Sequence, residues 1–415
     1  MPNIQDIRAQ FPSLASTTVF LDNAGGSQVP RGVAEAVERY YHQSCAQLGG
    51  EYPESVEAAA VVGDAHALMG RWANASGPDN VILGASDSLL VRMLADAYLD
   101  AEPSNDRRQI IVSPHGHESN VGPWLRLARF GWEITPWNDL PVAGDGYARS
   151  IEPLLSARTR LVVFPHVSNI LGSIVDVRAI ADRVHAAGGR VVVDGVAFAP
   201  HRPVEVSAFG ADWYSWSTYK VYGPHAAVLV GTSEAMAEVT GPNHFFIEKD
   251  SWPKKFELGG VPRELCAAML GVQPYLRFLA GSAACGSDQP LVDRSTIERA
   301  CIQMARLEAP LQEQLIHGLR EIGGVRVVGP LDTGESRVPT VSFTVDGLSS
   351  RTIAERANRE GLGLRYGHFY SHRLVEHLLP GRDPEDGVVR ISLLHYNTPE
   401  EVARAIEFVS RVARC

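Results

Sequence analysis

The sequence predicts an α/β fold with a mainly parallel sheet in a large domain and a small α+β domain at the C-terminal end. Three observations carry this. Between residues 81 and 230 strand-length apolar runs alternate with helical apolar spacing, the order that right-handed crossovers produce. The runs at 110–112, 161–164 and 191–193 are continuously apolar, as strands covered on both faces are. At 415 residues the chain is long enough for one large and one small domain.

Composition narrows the classes. The chain is 45% hydrophobic and 21% charged, with a net charge of -10, an ordinary composition for a soluble protein. No basic run suggests nucleic acid or an anionic membrane surface. No apolar run approaches the ~20 residues a membrane span needs. The N-terminus (Met1, Pro2, Asn3) lacks a basic-then-apolar targeting pattern, so a cytoplasmic location is expected. The five cysteines (Cys45, Cys266, Cys285, Cys301 and Cys415) are odd in number and dispersed, which argues against a disulfide framework or a metal site.

The elements follow in order. A short helix is expected over 4–12, then a strand over 18–22 running into Gly25 and Gly26, where missing side chains permit a tight turn. Helices follow over 30–46 and 55–73. A strand at 81–83 turns at 84–88 into a helix over 89–99. The free amides and positive dipole end of that helix suit a phosphate, and Asp87 is expected to cap it and point away. The strand at 109–113 leads to a loop carrying His115 and His117. The strand at 161–164 leads to His166 and Asn169. A crossover helix over 177–187 closes at Gly188 and Gly189. The strand at 190–194 ends in Asp194, at the carboxyl edge where open α/β sheets place their ligands. After a strand end near Ser217 come Lys220 and the breaker pair Gly223-Pro224, then a strand at 226–230. A small, polar stretch over 281–290 marks a domain boundary. A long helix over 295–322 opens the small domain, which continues with strands near 325–329, 338–345 and 388–394, a helix over 350–360 and a final helix. That helix opens on Thr398, Pro399, Glu400 and Glu401, a capping box with proline at the first position. The predicted domains are 15–285 for the large one, and 1–14 with 290–415 for the small one.

Three charged residues stand where charge is costly. Lys220 sits among aromatics and small hydroxyls; desolvation lowers an amine's pKa, and a neutral amine forms a Schiff base with an aldehyde. Alone it reads as a surface lysine near a turn, and Asp194 alone as a cap. Together they suggest pyridoxal phosphate, because a carboxylate can keep its ring nitrogen protonated and make the ring an electron sink. Arg390, inside the apolar run 388–393, needs an anion there. Its fork fits a carboxylate, on a ligand or within the protein.

On these residues the chain resembles the cysteine desulfurase branch of the class V aminotransferases, which are fold type I pyridoxal phosphate enzymes. The likeness rests on His166-Val167-Ser168-Asn169-Ile170-Leu171-Gly172, on Val193-Asp194-Gly195, on Ser217 to Lys220 followed by Tyr222-Gly223-Pro224, and on Arg390-Ile391-Ser392-Leu393. It implies a seven-stranded sheet, pyridoxal 5'-phosphate as cofactor, an amino-acid substrate and a homodimer with active sites at the interface. Lys220 would be the cofactor's amine and the catalytic base, and Asp194 the partner of its ring nitrogen. His117 would stack on the ring, its nitrogen serving acid–base chemistry, with His115 the rival. Asn169 would donate to the phenolic oxygen. Ala85, Ser86, Ser217 and Ser88 would meet the phosphate. Arg390 would clamp the α-carboxylate, with Asn23, Arg365 and Tyr370 on the substrate side.

The chain also departs from that pattern. Ala197 stands where the family usually has a glutamine near the cofactor. Gly260 stands where a hydroxyl residue commonly reaches the partner subunit's phosphate. Tyr219 replaces a phosphate-binding histidine and could carry a proton at the substrate. Tyr370 stands where the desulfurases carry their catalytic cysteine, and no cysteine lies in the loop 365–372. Persulfide formation needs that thiolate. The expectation is therefore a C–S β-lyase acting on an L-cysteine S-conjugate and releasing thiol, pyruvate and ammonia. It fits a natural-product pathway, as in the similar enzymes of lincosamide biosynthesis. Decarboxylation-coupled oxidative deamination to an aldehyde, epimerisation and transamination are the alternatives. A non-enzymatic scaffold is disfavoured because Lys220, Asp194, Asn169, His117 and Arg390 are all present.

Overall fold

A computed structural model describes residues 2–101, 107–282 and 291–414 of the chain. Seven strands form the central sheet: β1 (Val81–Gly84), β2 (Gln109–Val112), β3 (Glu133–Pro136), β4 (Thr159–Pro165), β5 (Arg190–Asp194), β6 (Trp213–Ser217) and β7 (Ala227–Gly231). Their order is β1-β7-β6-β5-β4-β2-β3. Only β7 runs antiparallel to its neighbours, β1 and β6; the rest are parallel. The buried pattern explains the composition of these strands, since β2, β5 and β6 meet helices on both faces and carry almost no exposed residue.

The helices that matter for the site are α1 (Arg31–Gln43), α2 (Pro53–Ala73), α3 (Asp87–Asp100), α4 (Glu118–Leu125), α5 (Val177–Ala186) and α6 (Arg263–Leu270). One apolar cluster fills the sheet face bearing Val162, Val191, Val193, Tyr214 and Trp216. A second fills the opposite face, where Leu90, Leu94 and Tyr98 of α3 meet Ile110, Leu161 and Trp213.

The small domain is a four-stranded antiparallel sheet: β8 (Val325–Val328), β9 (Thr340–Val345), β10 (Arg365–Gly367) and β11 (Val388–Ser392), in the order β10-β11-β9-β8. Helix α7 (Arg294–Arg320) joins the domains. Its Ile297, Ala300 and Met304 pack in the large core, while Leu311, Leu315 and Leu319 pack in the small one. Helices α8 (Ser350–Arg359) and α9 (Pro399–Val412) cover the small sheet, and the expected capping box opens α9, with Thr398 and Glu401 exchanging bonds.

Residues 2–22 touch both domains. Ile7, Phe11 and Leu14 pack into the large core, while Phe11 also meets His395 and Tyr396 and Arg8 pairs with Glu401. The two-residue strand Val19–Phe20 pairs with Leu362 and Gly363, and Val19 and Leu21 are buried in the small-domain core. The chain crosses between domains before residue 19. The boundary expected over 281–290 lies mostly outside the described residues, at 283–290. No helix among the described residues is long and apolar enough to cross a membrane.

Helices α1 and α6 approach closely because both lack a side chain at their contact. A Cβ on Gly271 would run into the Gly32 carbonyl and lie 2.7 Å from Val33 Cα. Replacing Gly271 by alanine should therefore lower stability by about 1–3 kcal/mol in a denaturant titration, since backbone cannot move aside as a side chain can.

Candidate active site

Lys220 ends the short turn Thr218–Lys220 that follows β6, and Asp194 ends β5. Adjacent parallel strands thus deliver an amine and a carboxylate to one edge, as the sequence implies. The loops after β1, β2 and β4 complete the wall. Ser86, Asp87, Ser88, His117, Asn169, Asp194, Ala197, Ser217, Tyr219 and Lys220 line one cavity of about 150 Å³.

Its electrostatics follow from burial. Lys220 is half-buried, has no hydrogen-bond partner among the described residues, and lies 5.8 Å from the Tyr219 ring. Desolvation, with help from Arg390, lowers its pKa to about 8, although Asp194, Asp87 and Asp22 pull the other way. Asp194 accepts one bond, from Val196 N at 2.9 Å. Burial first, and the nearby Asp87 second, push its carboxyl well above the usual range.

Asp87 does not point away from the site. It is buried, its Oδ2 accepts from Asn120 Nδ2 at 2.8 Å and lies 3.3 Å from Ser119 Oγ, and its Oδ1 has no partner among the described residues. Burial raises its pKa as well. Ser86 performs the capping instead, its Oγ accepting from Leu89 N at 3.2 Å.

The structure separates the two histidine candidates. His117 lines the cavity and its ring lies 5.1 Å from that of Tyr370. His115 is buried elsewhere, facing the Asp139 carbonyl and His377. Tyr219 lines the cavity with its ring stacked on His225, the centroids 4.6 Å apart.

On the small-domain side Arg390 is buried, donating through Nη2 to Asp22 Oδ1 at 2.8 Å and through Nη1 to Asn169 O at 3.2 Å. Its Nε has no partner among the described residues, and Phe369 stacks 3.8 Å from its guanidinium. Arg365 pairs with the other oxygen of Asp22. Phe369 and Tyr370 both adopt left-handed backbone, at φ 49° and 61°, a costly conformation for aromatic residues. The loop is pinned from the large domain. Asn169 Nδ2 donates to Phe369 O at 2.9 Å, Ser371 Oγ donates to Asn169 Oδ1 at 2.7 Å, and Glu118 N donates to Tyr370 O at 2.8 Å.

Several expected residues sit differently. Asn23 is buried, and its amide is used up on Phe20 O, Ser392 O, Asn397 and Tyr396, so it joins strands and cannot reach substrate. Its neighbour Asp22 faces the arginines. Ala85 is exposed and outside the cavity wall, as is Gly260, which sits on a left-handed turn. Arg365 and Tyr370 lie at the exposed rim. Asp87, Ser119 and His225 were missed as wall residues. The only signal for His225 is its place just after Gly223-Pro224.

Comparisons with known proteins agree with this geometry. The sequence model described as Aminotransferase class-V matches residues 19–280 and 296–405. The chain belongs to the class V aminotransferase family. It is 38% identical to the aminotransferase-like protein FGM3 of Gibberella zeae, covering 97% of both chains. It is 32% identical to the cysteine desulfurase-like protein ustD of Aspergillus flavus, covering 96% of this chain and 88% of that one. A cysteine desulfurase from Thermococcus onnurineus NA1 shares its fold, with a TM-score of 0.82 at 23% identity, over 100% of this chain and 99% of that one.

Like the class V aminotransferases, the chain is a pyridoxal 5'-phosphate-dependent enzyme. The donor set fits the group. An unbonded amine on the cavity wall matches its aldehyde, a carboxylate accepting a single bond matches its ring nitrogen, and Ser86, Ser88 and Ser217 beside the amide end of α3 match its phosphate. Lys220 would have to be neutral to capture the aldehyde. Colour should therefore return to cofactor-stripped protein about tenfold faster near pH 9 than near pH 7, the neutral fraction rising through about 8. Stopped-flow absorbance measures this, and Lys220→Ala should give no band.

Proposed function

We propose that the enzyme is a C–S β-lyase that splits an L-cysteine S-conjugate into a thiol, pyruvate and ammonia, in natural-product tailoring. The observation that carries this reading is that no cysteine among the described residues lies beside the amine site. Tyr370 occupies the loop position facing His117. Among the described cysteines, Cys45 is exposed and Cys266 and Cys301 are buried, their thiols pushed up to about 12 by desolvation. None of these lines the cavity, so sulfur leaving the substrate departs on its own carrier and forms no enzyme persulfide.

Pyridoxal phosphate, when bound, supplies an electron sink for charge arising at the substrate's α-carbon. In this reading Lys220 would hold the aldehyde, Asp194 would keep the ring nitrogen protonated, and Ser86, Ser88 and Ser217 would hold the phosphate. Arg390 would meet the α-carboxylate through its fork, which in this structure holds Asp22 and the Asn169 carbonyl. Lys220 Nζ, freed by the incoming amino group, takes the proton from Cα. The Cβ–S bond then breaks with its electron pair on sulfur, which leaves as thiolate and takes up a proton. The released enamine is hydrolysed by water to pyruvate and ammonia. Burial of the site excludes water from the anion at Cα while it forms. The reading includes a homodimer whose partner approaches Gly260, supported by the exposed Phe245, Phe246 and Leu258 on the same stretch.

Incubation with S-alkyl cysteine tests it. Pyruvate and thiol in equal amounts are expected; an aldehyde with carbon dioxide, or inverted substrate alone, contradicts the lyase. Arg390→Lys keeps the charge but loses the fork, and should raise KM about 10- to 100-fold in the same assay.

A further inference from the structure

His117 is held by its own helix. It is the N-cap of α4, and its Nδ1 accepts the backbone N–H of Ser119 at 3.2 Å. A backbone N–H can only donate, so Nδ1 is the ring nitrogen that carries no proton. Ser119 Oγ lies 2.8 Å from the same Nδ1. Asn120 Nδ2 donates to that Oγ at 3.2 Å and to Asp87 Oδ2 at 2.8 Å. Ser119 Oγ therefore already accepts one bond, and its O–H is left to point at Nδ1, the nearer choice, since Asp87 Oδ2 lies at 3.3 Å.

The ring is also neutral. Burial, then Lys220 and Arg390, lower its pKa to about 3, and the positive end of α4 acts in the same direction. A neutral imidazole with a bare Nδ1 bears its proton on Nε2. Nε2 has no hydrogen-bond partner among the described residues, although the ring lines the cavity.

We propose that His117 meets the reacting centre as a fixed hydrogen-bond donor through Nε2–H, with Ser119 as the positioning residue that holds this tautomer. The inference corrects the sequence expectation of acid–base chemistry at this ring. A nitrogen that already carries its proton cannot take another, so proton abstraction at Cα falls to Lys220 alone. The bound atom that His117 serves is a lone-pair acceptor. The inference rests on the proposal that this cavity is the reaction site, and is independent of which bond breaks there.

Nitrogen NMR of the holoenzyme labelled with ¹⁵N-histidine tests it, the His117 signals being assigned by their loss in His117→Gln. Nδ1 should resonate as an unprotonated ring nitrogen and Nε2 as a protonated one, without change between about pH 6 and 9. Ser119→Ala loses the Oγ contact but keeps the backbone N–H on Nδ1, so Nδ1 should stay unprotonated, its signal shifting only by the lost second bond, with kcat lowered less than about tenfold at little cost in KM and Ser119→Thr restoring the shift. His117→Gln, able to donate but not to exchange a proton, should stay within about tenfold of the parent kcat, while His117→Phe should lose about 100-fold. A protonated Nδ1, in the parent or in Ser119→Ala, or a glutamine variant as slow as the phenylalanine one overturns the proposal. The expected tautomer in an enzyme that forms no thiol upholds it and removes only the lyase reading.

Discussion

The site depends on one costly placement, a primary amine taken out of water and given no hydrogen-bond partner. Lys220 is kept there by the charges around it, with Asp194, Asp87 and Asp22 favouring its ammonium form and burial and Arg390 opposing it. The balance leaves the amine close to neutrality, where it is a nucleophile. Burial pushes both the Asp87 and Asp194 carboxyls up, and the charge of Asp87 adds to the rise at Asp194. The fold stabilises this elsewhere, through two apolar clusters packed against opposite faces of one sheet.

The second constraint is the junction between domains. Helix α7 belongs to both cores, so the two domains share a rigid element. Against it, Asp22 bridges Arg390 and Arg365, and the loop carrying Phe369 and Tyr370 holds an unfavourable backbone form through bonds from Asn169, Ser371 and Glu118. Asn169 lines the cavity and latches this loop at once. Loop position and cavity shape are therefore coupled, and strain is placed beside the substrate entrance.

Much of this was legible because the chain breaks local rules where it matters. An arginine within Val388–Ser392, an aspartate ending Arg190–Asp194 and a lysine among aromatics each oppose their surroundings; Asp194 and Lys220 line the cavity, and Arg390 donates to Asn169 on its wall. The parallel sheet was legible from continuous apolar strands. What failed depended on tertiary contacts. Whether an acid in a helix's first turn caps or turns inward is decided by Asn120 and Ser119, which sit 32 or more residues away. Asp22 and Asn23 are adjacent, and only the pairing with Ser392 shows which one faces the arginines. The strand Val19–Phe20 is too short to signal a partner over 300 residues later.

The chain holds four lysines, Lys220, Lys249, Lys254 and Lys255, and the last three are grouped on one loop. Borohydride reduction of the coloured holoenzyme, followed by peptide mapping, therefore reads the central claim directly. The account predicts a phosphopyridoxyl group on the peptide containing Lys220 and none on the other three lysines. Label on Lys249, Lys254 or Lys255, with Lys220 unmodified, would contradict it.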